Sequence, residues 1–192
     1  MSSKLIAGVD EVGRGPLAGP VVTAAVILPE DHNIQGLNDS KKLSKSKRET
    51  LSSQIKESAL AWSIGQCSVE EIDRINILNA TMLAMQKAVS GLSMMPHLVL
   101  VDGNRTPDFG IKSEAIVKGD GKVECISAAS IIAKVFRDEL MAQLSVQYPQ
   151  YGFEQNAGYP TKRHREALLK YGASPVHRKS YAPVQATLAF EE

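Results

Sequence analysis

Residues 7–22 read AGVDEVGRGPLAGPVV, and no other stretch restricts the fold as much. Two short apolar runs, KLIAGVD (4–10) and PVVTAAVILP (20–29), are bounded by glycine and proline. They read as successive strands, with EVGRGPLAG as a glycine-rich turn between them. A parallel pair needs a long crossover, so strands joined this briefly are antiparallel neighbours. The first strand ends in two adjacent acids, Asp10 and Glu11. Neighbouring residues on a regular strand point to opposite faces, so these two share a site only where the strand is ending. Side by side they repel, and a cation must offset that. Arg14 is one candidate and a metal ion is another.

LAWSIGQCSV (60–69) reads as a third strand. Before it, DSKKLSKSKRETLSSQIKESA carries a helix, with Ser46 and Glu49 as a capping box and Leu51 and Ile55 at helical spacing. Ser68 and Glu71 form a second capping box. They open a long helix with Ile75, Leu78, Met82, Met85 and Val89 on one face. HLVLVDG (97–103) is a buried strand ending in Asp102, and SEAIVKGDG (113–121) a weaker one ending near Asp120. A third long helix, 123–146, carries Ala129, Ile132, Phe136, Leu140 and Leu144 on one stripe. A short basic helix follows near 161–171, and the tail reads as irregular. Closely joined strands followed by a β–helix–β passage predict an α/β fold: a mixed sheet flanked by helices.

The 192 residues suffice for one sizeable domain with its own core. Cys67 and Cys125 stand far apart and outside any C-x-x-C pattern, which argues against a disulfide scaffold or zinc site and for reduced packing residues. The longest apolar run, VVTAAVIL, falls far short of the ~20 residues that span a bilayer. The first residues lack the pattern of a signal peptide, so the expectation is a cytoplasmic monomer with no membrane partner. Net charge is +1, and a polyanion must therefore be met by local clusters. Lys41, Lys42, Lys45, Lys47 and Arg48 form one, Lys162, Arg163 and Arg165 a second, and Arg178 with Lys179 a third. Each is equally well read, member by member, as a solvated surface.

Asp10, Glu11, Asp102 and Asp120 all lie at or just past strand ends, where residues distant in sequence meet in α/β sheets. Any one of them alone reads as a turn residue. Together they would repel strongly unless hard cations neutralised them, and a carboxylate-only set suits Mg²⁺ or Mn²⁺ better than zinc. Two such ions activate a water and stabilise the leaving oxygen of a phosphodiester.

The blocks GVDEVGRGPLAGPVVTAAVIL, NDSKKLS, LVDG, VKGDGK, SAASIIAKVFRD, GYPTKRH and HRKSYAPV resemble, in order, the signature blocks of the ribonuclease HII family. They run from about residue 5 to 184, and the first and the SAASIIAKVFRD blocks are the specific ones. The resemblance implies a ribonuclease H-like mixed five-stranded sheet with a small helical C-terminal part. It makes residues 1–192 one catalytic domain, with 185–192 as a flexible tail. It implies an Mg²⁺- or Mn²⁺-dependent endoribonuclease that hydrolyses the RNA strand of RNA–DNA hybrids by a two-metal-ion reaction. The same enzyme would cut 5′ of single ribonucleotides in duplex DNA, leaving 3′-hydroxyl and 5′-phosphate ends. By matching blocks, Asp10, Glu11, Asp102 and Asp120 are the metal-binding and catalytic acids. Gly13, Arg14 and Gly15 read the ribonucleotide's 2′-hydroxyl and neighbouring phosphate, Lys41 contacts phosphate, and Tyr159 stacks on the following deoxyribose. The sister ribonuclease HIII type shares the acidic centre but carries an added N-terminal domain, whereas here the first block begins almost at Met1.

Other features carry less. Lys134 and Asp138 have the spacing of a surface pair, and His164 in its basic helix reads as exposed or phosphate-contacting. Trp62 reads as core. QATLAF (Gln185–Phe190) resembles peptides bound by the bacterial sliding clamp, with a self-packed or disordered terminus as the alternative.

Overall fold

The computed structural model describes residues 4–188. Its sheet contains β1 (Ile6–Val12), β2 (Val21–Ile27), β3 (Ala61–Cys67), β4 (Leu98–Asp102) and β5 (Ser113–Ile116), in the order β3-β2-β1-β4-β5. β1–β2 and β2–β3 are antiparallel, while β1–β4 and β4–β5 are parallel, which gives the expected mixed sheet of five strands. The crossover between β4 and β5 is a loop, residues 103–112, and it sends Phe109 and Ile111 into the core.

Every residue of β2 is buried because helices cover both faces of the sheet. Val22, Ala24 and Val26 pack against α1 (Lys45–Ser58) and α3 (Glu124–Gln147) through Leu51, Ile55, Ala129 and Ile132. The alternating residues Val21 and Ala25 face α2 (Val69–Ser90), meeting Ala84 and Met85. Two glycines set how near these helices come. A Cβ on Gly8 would lie 2.1 Å from the Cys125 carbonyl carbon, and one on Gly65 2.1 Å from the Ala84 carbonyl oxygen. A further cluster, including Leu17, Met141, Phe153, Leu168 and Val184, ties the end of α3 to α4 (Phe153–Asn156), α5 (Lys162–Tyr171) and α6 (Ala182–Leu188).

The second capping box forms as expected: Ser68 Oγ accepts from Glu71 N–H at 3.3 Å, and the Glu71 carboxylate accepts from Ser68 N–H at 2.9 Å. The first does not. α1 is capped by Ser44, whose Oγ accepts from Lys47 N–H, and Ser46 falls inside the helix. α2 is broken at Asn76, whose φ of 64° is left-handed and whose Oδ1 accepts from Asn79 N–H, starting the helix anew. The stripe expected there is displaced accordingly. Ile72, Ala80, Ala84 and Ala88 are buried beside Met85 and Val89, while Leu78 and Met82 line a surface hollow.

The tail expected to be irregular forms α6 over residues 182–188, because Val184 reaches the apolar cluster under α5. Pro183 sits in its first turn, where a missing N–H costs little. Of the peptide Gln185–Phe190, residues 185–188 lie in α6, and Ala189 and Phe190 lie outside the described residues. Trp62 is 40% exposed on edge strand β3, with the Lys56 ammonium 5.1 Å from its ring centre, so it is not core. Cys67 is buried and Cys125 partly so, both as free thiols. No helix among the described residues is long and apolar enough to cross a membrane.

Candidate active site and nucleic-acid interface

β1 and β4 are parallel neighbours with Val9 beside Val101, so Asp10 and Asp102 come side by side at the strand ends. Past β5, a 3₁₀ turn (Gly119–Gly121) brings Asp120 to the same place. The Asp102 Oδ1 holds that turn, accepting from Gly119 N–H at 2.7 Å and Asp120 N–H at 3.3 Å. The Ser127 hydroxyl donates to the Asp120 carbonyl at 2.6 Å. One carboxylate oxygen from each of Asp10, Asp102 and Asp120 lies within 4.8 Å of the others.

Glu11 lies outside this group of three, and the sheet register explains why. Asp10 sits opposite Ala24, which packs on the α3 face, while Glu11 sits opposite Thr23 and points to the α2 face. Glu11 Oε1 is 3.7 Å from Arg14 Nη1, and its buried Oε2 has no hydrogen-bond partner. Asp102 borders the hollows on both faces, so the acids straddle the sheet's rim.

Burial pushes the Asp10 carboxyl well above the usual range, and the charges of Glu11 and Asp102 push it further. Glu11 is raised by burial against the opposing Arg14, and Asp120 by burial and by Asp102. Three acids held together at this energetic cost suit a hard divalent cation with oxygen ligands. The orphaned Glu11 oxygen suits one too.

Lys41 lies on a 3₁₀ turn (Ser40–Lys42) capped by Asp39, whose carboxylate accepts from Lys41 N–H at 2.9 Å. Burial tends to lower the ammonium's pKa, yet Asp10, Asp39, Asp120 and Asp102 together raise it, so it stays a cation. Arg48 fixes this turn by donating to the carbonyls of Ser40 and Leu43. Arg48 is itself paired with Asp138 at 3.6 Å, and Asp138 with Lys134 at 2.7 Å, so Asp138 supports the turn from outside the acidic cluster. Ser130 ties α3 to this turn, its hydroxyl donating to that of Ser40 at 2.9 Å. Two hollows of about 470 Å³ flank Asp102. One is bordered by Glu11, Arg14, Asn104 and Arg105, the other by Lys41, Lys42, Lys118 and Lys122.

The turn Gly13–Gly15 leaves Arg14 and Gly15 exposed. Gly13 has a φ of 93°, and a Cβ there would lie 2.3 Å from Arg137 Nε, so only glycine fits. Two wholly buried guanidinium groups hold the loop. Arg137 donates to the carbonyls of Pro20, Ala18 and Ala157, and burial lowers its pKa to about 10. Arg178 donates to those of Gly13, Arg14 and Gly19. Tyr159 is exposed, and a Cβ on Gly15 would lie 3.5 Å from its ring.

Two expectations are corrected here. His164 is buried, because it shares the inward stripe of α5 with Ala167 and Leu168. Arg178 is buried rather than flanking a duplex, because it serves converging carbonyls, whereas Lys162, Arg163, Arg165 and Lys179 are exposed. Ser40, Ser130 and Arg137 went unread. Ser130 and Arg137 lie in the SAASIIAKVFRD block, and a charged residue in that block was the available signal.

The chain matches the family model described as Ribonuclease HII over residues 7–184. It is 63% identical over 183 residues to the ribonuclease HII of Shewanella halifaxensis, covering 95% of this chain and 90% of that protein. It resembles the crystal structure of the ribonuclease H2 from Pyrococcus horikoshii OT3 with a TM-score of 0.81 and 29% identity, covering 98% of this chain and 99% of that one. It also resembles the ribonuclease HII in a PCNA:RNase HII complex from Archaeoglobus fulgidus, with a TM-score of 0.78 and 27% identity over 92% of this chain and 95% of that one. With the acids gathered at the strand ends and the match running almost end to end, the chain belongs to the ribonuclease HII family and is a ribonuclease H, a metal-dependent nuclease acting on RNA–DNA hybrids.

Proposed function

We propose that the chain acts as one catalytic unit that hydrolyses the RNA strand of hybrids and also cuts 5′ of a single ribonucleotide in duplex DNA, leaving 3′-hydroxyl and 5′-phosphate ends. The observation that carries this is the meeting of Asp10, Asp102 and Asp120 beside the turn Gly13–Gly15, whose Arg14 and Gly15 are exposed. Asp10, Glu11, Asp102 and Asp120 would hold two Mg²⁺ or Mn²⁺ ions. When bound, such ions supply an activated water and neutralise charge on the leaving 3′ oxygen.

The remaining work belongs to side chains and backbone. The Gly13–Gly15 turn approaches the ribose closely, and the 2′-hydroxyl, both donor and acceptor, is what separates RNA from DNA at one position. Lys41 holds a phosphate next to the acids, with the bordering lysines extending the grip along the strand. Tyr159 stacks on the sugar after the ribonucleotide and sets the junction. Burial around Asp10 keeps bulk water away and strengthens each electrostatic contact. The C-terminal peptide Gln185–Phe190 is read as a sliding-clamp ligand, a reading supported by the archaeal relative captured with PCNA. Deleting residues 185–192 should abolish clamp pull-down, and undiminished capture would reject that part.

The test of the main reading is cleavage of duplex DNA carrying one ribonucleotide, with Mg²⁺, Mn²⁺ or EDTA, beside an all-DNA duplex. A metal-dependent cut 5′ of the ribonucleotide alone is expected. Intact substrate beside a cleaved continuous hybrid would remove the single-ribonucleotide activity from the proposal.

A further inference from the structure

We infer that the dipeptide His177–Arg178 is a positioning clamp that holds the Gly13–Gly15 turn and Tyr159 in register with one another without itself touching substrate. The inference rests on the reading of those two elements given above. Residues 176–178 lie along residues 17–19 as a short antiparallel bridge: Gly19 N–H donates to the Val176 carbonyl at 2.9 Å and Arg178 N–H to that of Leu17 at 2.8 Å. Adjacent residues on extended backbone point to opposite sides, so one dipeptide serves two different neighbours.

On one side, Arg178 Nη2 donates to the Gly13 carbonyl at 2.6 Å and Nη1 to that of Arg14 at 2.9 Å. Tyr181 adds a second anchor, its hydroxyl donating to the same Arg14 carbonyl. On the other side runs a chain of bonds whose direction is set by a backbone N–H at one end and a carbonyl at the other, with the Ser174 hydroxyl, 2.8 Å from His177 Nδ1, turning to suit. A backbone N–H can only donate and a carbonyl can only accept. Ser174 N–H donates to His177 Nδ1 at 3.0 Å, which puts the proton of the neutral ring on Nε2. That Nε2–H faces His164 Nε2 at 3.0 Å, so His164 must accept there and carry its own proton on Nδ1. His164 Nδ1–H then donates to the Tyr159 carbonyl at 2.9 Å. The two rings are thus opposite tautomers, fixed from both ends.

Both rings are buried, His177 packed against the stacked Tyr151 and Phe153 rings. Burial lowers the basicity of each, that of His177 to about 4, which agrees with a neutral pair. The clamp therefore fixes the backbone of both readers from a single point.

The test compares kcat/KM on duplex DNA bearing one ribonucleotide with kcat/KM on a continuous hybrid. His164→Leu removes the donor to Tyr159 and should lower the ratio of the two by about tenfold, since small misplacements of a positioning group cost rate steeply. His164→Asn offers an amide donor in place of Nδ1–H and should restore most of the ratio. Arg178→Lys should lower kcat/KM on both substrates, because the Gly13–Gly15 turn serves both, and unchanged rates would remove Arg178 from the clamp. A Tyr159→Ala variant separates the two levels of the proposal. If it lowers the ratio and His164→Leu does not, the clamp is wrong; if neither lowers it, the reading of Tyr159 itself falls. Should His164→Leu fold poorly, ¹⁵N imidazole spectra of the unaltered protein decide. Opposite neutral tautomers for His164 and His177 support the clamp, and matching tautomers or a charged ring at neutral pH overturn it.

Discussion

Asp10 is placed where no isolated carboxylate would choose to be: 5% exposed, against the charge of Asp102, with Glu11 next in the chain. Without a cation, that arrangement opposes folding. Asp10→Asn should therefore raise the Tm of the metal-free protein, by about 2–4 °C for each kcal/mol of repulsion relieved. It should also remove most of the rise in Tm that Mg²⁺ gives the unaltered protein. Turnover should fall by orders of magnitude with a much smaller change in substrate affinity, the pattern of a group acting in the transition state. Thermal melts with EDTA and with Mg²⁺, beside single-turnover cleavage, read all three. Near-normal cleavage by Asp10→Asn with Mg²⁺ would overturn its catalytic role. At Lys41, replacement by Ala should weaken binding of any duplex and lower the slope of log K against log [salt] by about 1, as expected for one lost phosphate contact. An unchanged slope in a titration from low to high salt would place Lys41 off the substrate.

Among the elements, α2 shows what local sequence encodes well and what it hides. Its capping box, Ser68 with Glu71, was legible because its three-residue spacing stands directly before an apolar stripe. Ser68→Ala should cost about 1 kcal/mol, measurable by urea unfolding. The break at Asn76 was not legible, since a left-handed residue leaves the helical spacing on either side nearly intact. In α1 the cap falls on Ser44, two residues before the serine expected, and it lacks the glutamate that marks a capping box. The His164–His177 pair joins α5 to the following segment, and its burial sets a pH dependence. A base whose pKa is lowered on folding takes up protons more readily when unfolded. Stability should therefore be complete above the ordinary histidine range and be lost as pH falls from there towards the lowered value of about 4. Melts at pH 7 and pH 5 should show a smaller drop in His177→Gln than in the unaltered protein, and equal drops would assign the loss elsewhere.

At the scale of the whole molecule, the mixed sheet and the antiparallel β1–β2 pair were readable because a short glycine turn joins those strands, but the rest was not: β2–β3 is antiparallel across a helical connection and β4–β5 parallel across a loop. The convergence of Asp10, Asp102 and Asp120 followed from their places at strand ends. The division of Asp10 and Glu11 between two faces depends on exact register, which the glycine turn had left open. The burial of Arg178 could not be read locally, because all but one of its partners lie more than 150 residues away and are carbonyls, which every residue has. The two arginines that hold the 13–20 loop meet backbone oxygens, and these contacts are buried, where dissolved ions screen little. The lysines bordering the acids are exposed, and on the proposed reading they would hold the substrate by a force that salt weakens. A change in ionic strength should therefore uncouple the enzyme from its substrate while leaving the 13–20 loop assembled. A sudden dilution out of high salt would start one synchronous round of association from enzyme already in working shape.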